Sequence, residues 1–251
     1  MIQIAVINAS TVVNDLDVKK MVDAIQVQID RDWTPAWGIP AKLTVVPHGQ
    51  KPPSGMWWQT IFDTADQAGA LGYHDLTSAG LPIGKVFAKT TLEAGDRVSV
   101  TLSHEVLEML GDPDINLMVQ KGPRGYAYEV CDAVEDDSLG YDINGVRVSD
   151  FVYPHYFETF WHKGAAKFDH LGHLSGPVPS LTHGGYMSYL DFTSGQWKQV
   201  TARLDDGSSV HRNDSPMLVK ALYKERPLTG ARRYRRALPP GTWLVSTVAS
   251  S

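Results

Sequence analysis

The chain has 251 residues, 43% of them hydrophobic and 20% charged, which excludes an intrinsically disordered polymer and suits one large core or a core with a small appendage. The formal net charge of −5 argues against a nucleic-acid-binding surface spread over the whole molecule, and a single cysteine, Cys131, excludes an intrachain disulfide. The opening MIQIAVINAS has no basic start and no long apolar stretch, and no apolar run approaches the ~20 residues of a membrane span. The expectation is a chain without a secretory leader or a membrane partner, cytoplasmic or virion-associated.

Gln3 to Asn8 reads as a buried strand. Val18, Met21, Val22, Ile25 and Ile29 then recur at helical spacing after the capping candidates Asn14, Asp15 and Asp17. Ala41 to Pro47 reads as a second strand, Gln59 to Asp63 as a third, and Ala70 to His74 and Lys85 to Lys89 as two more, with turn material from Thr77 to Gly84. A helix is expected from about Val98 to Leu110. Its apolar stripe is Val98, Leu102, Val106, Met109 and Leu110, with His104, Glu108 and Gly111 roughly opposite, so one side should be buried and the other should line a cleft. Beyond Gly111 the chain is rich in turns. Asn144-Gly145 predicts a type I′ hairpin over Tyr141 to Val148, and Gln196 to Leu204 reads as a strand closed by Asp205-Asp206-Gly207. Between Lys220 and Arg236 seven basic residues face one acid, Glu225, as a solvated tail or a surface for phosphate or an acidic partner. Trp243, Leu244 and Val245 would form a terminal docking strand. The order predicts an α+β fold with a mixed sheet, an N-terminal helix and a second helix carrying the site, over residues 1–205, followed by a C-terminal extension over 206–251.

The most informative stretch is His104 to Asp114, which reads HExxExxGxxD. Residues four apart on a helix share a face, so His104 and Glu108 can hold one ion, while Glu105 sits one residue round. The pattern resembles the helix motif of the zincin metallopeptidases, HExxH, with Glu108 where the second histidine would stand. Within the zincins it resembles the metzincins, because Gly111 and Asp114 fall at the offsets of their extended motif and Gly185-Tyr186-Met187-Ser188-Tyr189 looks like their Met-turn. The resemblance implies His104, Glu108 and Asp114 as metal ligands, Glu105 as general base, Met187 as the floor of the site and Tyr189 as an oxyanion or metal partner. A second resemblance is to little-characterised bacterial and phage-encoded proteins that join HExxE, the step Asp112-Pro113 and the downstream Glu129-Val130-Cys131-Asp132. It implies that Glu129 or Asp132 completes the site, and the position of Glu129 is also near that of the distal glutamate ligand in gluzincins.

Replacing a neutral histidine by a carboxylate weakens the ion as a Lewis acid and favours harder cations. Zinc is the first expectation, with manganese, magnesium or calcium beside it. The function expected is that of a metal-dependent hydrolase, a peptidase acting on peptide or protein, in which Glu105 takes a proton from a metal-bound water and passes it to the leaving amine. The segment Ala70 to Lys89 would supply an edge strand for an extended substrate. The alternative is a non-catalytic zincin-like protein, such as a phage virion or assembly component, and seven tryptophans and the basic tail suit a contact-making protein. His170 and His173, within a group that includes His155, His162 and His183, have the spacing of a metal pair only on a helix, and Gly172 with Gly176-Pro177 argues for a loop.

Overall fold

The computed structural model describes residues 1–67, 69–158, 166–203 and 222–227. These form two compact units, the first within Met1–Asp114 and Gly140–Ser149, the second made of the described residues of Ile115–Leu139 and Asp150–Ser251.

The first unit is built on a five-stranded mixed sheet. Its strands are β1 (Ile2–Asn8), β2 (Ala41–Val46), β3 (Trp57–Phe62), β4 (Gly72–Leu76) and β5 (Pro82–Phe87), in the order β2-β1-β3-β5-β4. β2, β1, β3 and β5 run parallel, and β4 closes the edge antiparallel to β5 with Gly72 opposite Val86. Consecutive Ile4, Ala5 and Val6 are wholly buried, as an interior parallel strand covered on both faces requires. The crossover from β1 to β2 is helix α1 (Asp15–Gln28). It starts where the Asn14 side chain accepts a hydrogen bond from the Asp17 amide at 2.9 Å, and it buries Val18, Val22 and Ile25. A π-turn (Ile29–Trp33) and a short helix α2 (Thr34–Trp37) prolong it until Gly38, at φ 69°, ends the run.

After β5 come α3 (Ala88–Glu93) and α4 (Val98–Gly111), the motif helix. α4 packs on β3, β4 and β5 and meets α1 and α3. After two strands of the second unit, β6 (Met118–Lys121) and β7 (Arg124–Ala127), a hairpin of β8 (Tyr141–Ile143) and β9 (Val146–Val148) returns to this unit and also covers α4. Its turn holds Asn144 at φ 52° and Gly145 at φ 80°, the left-handed pair that a type I′ hairpin needs. Two buried bonds dock it: the Ser149 amide donates to Ser103 Oγ at 2.7 Å, and Gln28 Nε2 donates to the Ser149 carbonyl at 2.8 Å.

The consequence corrects the sequence expectation of a half-open helix. All fourteen residues of α4 are buried, including His104, Glu108 and Gly111 on the side opposite the apolar stripe. Small hydroxyl side chains satisfy themselves locally, as when Ser103 Oγ donates to the Val100 carbonyl at 3.0 Å, so a helix that looks two-faced in sequence can be enclosed. The strand limits also moved. β4 begins at Gly72 rather than Ala70, and β5 runs from Pro82 rather than Lys85.

The second unit holds an antiparallel sheet of β6 (Met118–Lys121), β7 (Arg124–Ala127), β10 (Tyr186–Asp191), β11 (Gln196–Arg203) and β12 (Leu222–Pro227), in the order β12-β11-β10-β7-β6. Its core includes Phe151, Val152, Tyr156 and Phe157, the last two on the short helix α5 (Pro154–Phe157). The expected strand from Gln196 is present as β11, and part of the basic segment forms β12 beside it. The boundary expected at residue 205, the arginines after Arg226 and the terminal Trp243-Leu244-Val245 lie outside the described residues. No helix among the described residues is long and apolar enough to cross a membrane.

Candidate metal centre

Two elements of the first unit build the site. On α4 the spacing of four carries His104 and Glu108 to one side, and His104 Nε2 lies 3.2 Å from Glu108 Oε1. On the adjoining edge strand β4, Gly72 and His74 are two apart and so share a face. His74 Nδ1 lies 3.5 Å from Glu108 Oε2 and 3.9 Å from Glu105 Oε2. Gly72 is what lets Glu105 fit. A Cβ there would stand 2.7 Å from Glu105 Oε1 and 2.8 Å from its Cγ. Between them, Tyr73 points to the other face, where its hydroxyl takes a hydrogen bond from Lys85 Nζ at 2.7 Å and gives one to Asp66 at 2.8 Å.

The result is a buried carboxylate with one histidine at each oxygen. Burial alone would raise the Glu108 carboxyl, but the charges of His104 and His74 and their hydrogen bonds outweigh it and hold the group well below the usual carboxylate range. Glu108 is therefore anionic. An ion that binds nitrogen and oxygen at about 2.1 Å with tetrahedral angles separates those donors by about 3.4 Å. Both the 3.2 Å and the 3.5 Å separation match that edge, and each pair belongs to a set of ligand atoms lying within 4.8 Å of one another. Imidazole nitrogen beside carboxylate oxygen suits zinc or manganese, whereas calcium takes an all-oxygen shell.

His74 was not foreseen. Its signal, a strand with Gly-x-His immediately before the motif helix, is visible only once β4 is known to sit at the sheet edge against α4. Asp114, expected as third ligand, is exposed on the turn after the helix and is not drawn into this cluster. Asp112 before Pro113 is extended, at φ −139° and ψ 71°, as proline demands of its predecessor, but it is Asp112 that is buried while the chain carries Asp114 outward.

Glu129 and Asp132 belong to the second unit. Both are buried, Glu129 beyond the end of β7 and Asp132 at the start of a 3-10 turn (Asp132–Val134), with the buried Cys131 between them.

The Met-turn expectation is corrected as well. Tyr186–Asp191 is regular strand, β10, paired with β11 and β7. Met187 and Tyr189 are core residues. The Tyr189 ring packs on Tyr126 with centroids 5.6 Å apart and lies 4.5 Å from the Arg124 guanidinium. Among the other histidines, the half-buried His170 stacks on Phe151 at 5.2 Å and its Nδ1 shares a 3.1 Å hydrogen bond with the Tyr153 hydroxyl.

No protein-family model matches the chain, and neither a curated protein nor a solved structure matches it.

Proposed function

We propose that this protein is a metal-dependent hydrolase with a zincin-like first unit, most consistent with a peptidase. The observation that carries the reading is the approach of His104 Nε2 and Glu108 Oε1 at 3.2 Å on one buried helix face, with Glu105 on the same helix beside His74. A zinc or manganese ion held there would supply a Lewis acid that activates water and polarises a scissile carbonyl. Glu105 takes the proton of the attacking water and delivers it to the leaving amine, and Gly72 and His74 keep its carboxylate in place.

The full burial of α4 favours a second reading, a non-catalytic protein in which the same ion fixes the fold. Metal analysis of protein purified without added metal, followed by proteolysis assays on unfolded substrates, separates the two. Bound metal with cleavage that Glu105→Gln abolishes supports the hydrolase; bound metal without cleavage supports the structural reading; absence of metal under saturating zinc and manganese overturns both.

A further inference from the structure

The two oxygens of Glu108 do not serve the same neighbour. Oε1 faces His104 Nε2 on its own helix, and Oε2 faces His74 Nδ1 on β4. The two histidines fall in different sets of mutually close ligand atoms, and Glu108 is the residue common to both. A single ion would gather both imidazoles with Glu108 into one set. The arrangement instead has the form of a carboxylate that spans two positions, as in two-metal sites whose ions stand about 3.5–4 Å apart.

We propose that Glu108 bridges two divalent cations, one held with His104 and one with His74. The proposal rests on the metal-centre reading above and extends it from one ion to two. Each donor pair, at 3.2 Å for His104 and 3.5 Å for His74, has a separation near the about 3.4 Å edge of a tetrahedral ion. Glu105 Oε2, at 3.9 Å from His74 Nδ1, stands beyond that edge and is a neighbour of the second ion, not its ligand. Burial supports the same conclusion. His74 and Glu108 expose 1% and 0% of their side chains, so both donors lie in a centre shielded from bulk water. The donor types on each side, one imidazole and one carboxylate oxygen, point to manganese or zinc at both positions.

The test uses the whole chain stripped with a chelator, then titrated with Mn(II) by calorimetry and examined by electron paramagnetic resonance at saturation. Two ions per chain and an exchange-coupled spectrum are expected for the unaltered protein. His74→Ala and His104→Ala should each bind one ion and give the spectrum of an isolated Mn(II), with circular dichroism checking that both remain folded. One ion per chain in the unaltered protein overturns the bridge and leaves the single-metal reading standing. No bound ion overturns both. Two uncoupled ions, or two ions retained by His74→Ala, place the second cation elsewhere and overturn the assignment to His74. The stoichiometry and coupling of the unaltered protein decide the question even where a variant fails to fold.

Discussion

At the scale of single residues, the division of labour between Glu105 and Glu108 is the sharpest consequence of the site. They are adjacent in kind and three apart in sequence, yet only Glu108 has each carboxylate oxygen within 3.5 Å of an imidazole nitrogen. On the proposed hydrolase reading, Glu105→Gln should therefore leave metal affinity within a few-fold while lowering peptidase activity by the roughly 10²- to 10⁴-fold typical of general-base loss. Calorimetry and a peptide-cleavage assay on the same preparation read both quantities. Activity equal to that of the unaltered protein would assign the cleavage to another source.

A second residue-scale prediction concerns Asp150 in the second unit. Burial, followed by the nearby charge of Asp169 and a hydrogen bond with it, pushes the Asp150 carboxyl up to about 9 from 3.8. Asp169 accepts the amides of His173 at 2.6 Å and Leu174 at 2.8 Å, and His173 Nε2 lies 4.0 Å from Asp150 Oδ2. The folded chain keeps the Asp150 proton across the interval from 3.8 to about 9, and the unfolded chain loses it. The unfolded state thus binds fewer protons, and the contribution of this group to stability is full below pH 3.8 and declines as pH rises through the interval, by about 1.4 kcal/mol per pH unit. Urea unfolding between pH 5 and about 8.5 should show Asp150→Asn with a slope less negative by that amount. Superimposable slopes for the two proteins would mean that Asp150 is ionised in the fold.

At the scale of elements, β4 decides the geometry of the site, because its alternation presents Gly72 and His74 to α4 and Tyr73 to the opposite face. Gly72→Ala places a methyl group against Glu105 and also 2.9 Å from the Lys85 carbonyl, and backbone does not yield as a flexible side chain does. The expected cost is about 1–3 kcal/mol of stability, with a measurable fall in peptidase activity as Glu105 moves. Chemical denaturation and the cleavage assay check it, and unchanged values in both would show that the strand shifts freely. Much of this level was legible beforehand. Strand β1, helix α1, the limits of α4 and the Asn144-Gly145 hairpin follow from hydrophobic period, a capping asparagine and a turn dipeptide, all local signals. His74 was not, because its role depends on which strand neighbours α4, a non-local fact. The supposed Met-turn misled for the opposite reason: five residues matched a short pattern, and alternate burial of Met187 and Tyr189 reads equally as strand.

At the scale of the molecule, the interrupted first unit was beyond the reach of local pattern. Gly140–Ser149 belongs with Met1–Asp114 across an intervening segment, and the bonds that secure it, from Ser149 to Ser103 and from Gln28 to Ser149, join residues 46 and 121 positions apart. The ligands proposed for a metal have the same character. His74 lies on an edge strand that must pair with β5 before it can face Glu108 on α4, so the donors converge only in the folded unit. On the proposed metal reading, binding free energy is folding free energy, and an ion held there would stabilise the native state by mass action. At a free metal concentration one hundred times the dissociation constant, each site should add about 2.7 kcal/mol, and removal by a chelator should lower the melting temperature accordingly. The shift should vanish in Glu108→Gln, which keeps the shape of the side chain but removes the anion that both imidazoles face. Thermal melts with zinc, with manganese and with excess chelator measure this directly, and identical melting temperatures in all three for the unaltered protein would show that Glu108 sits between His104 and His74 as a buried ion pair and holds no metal.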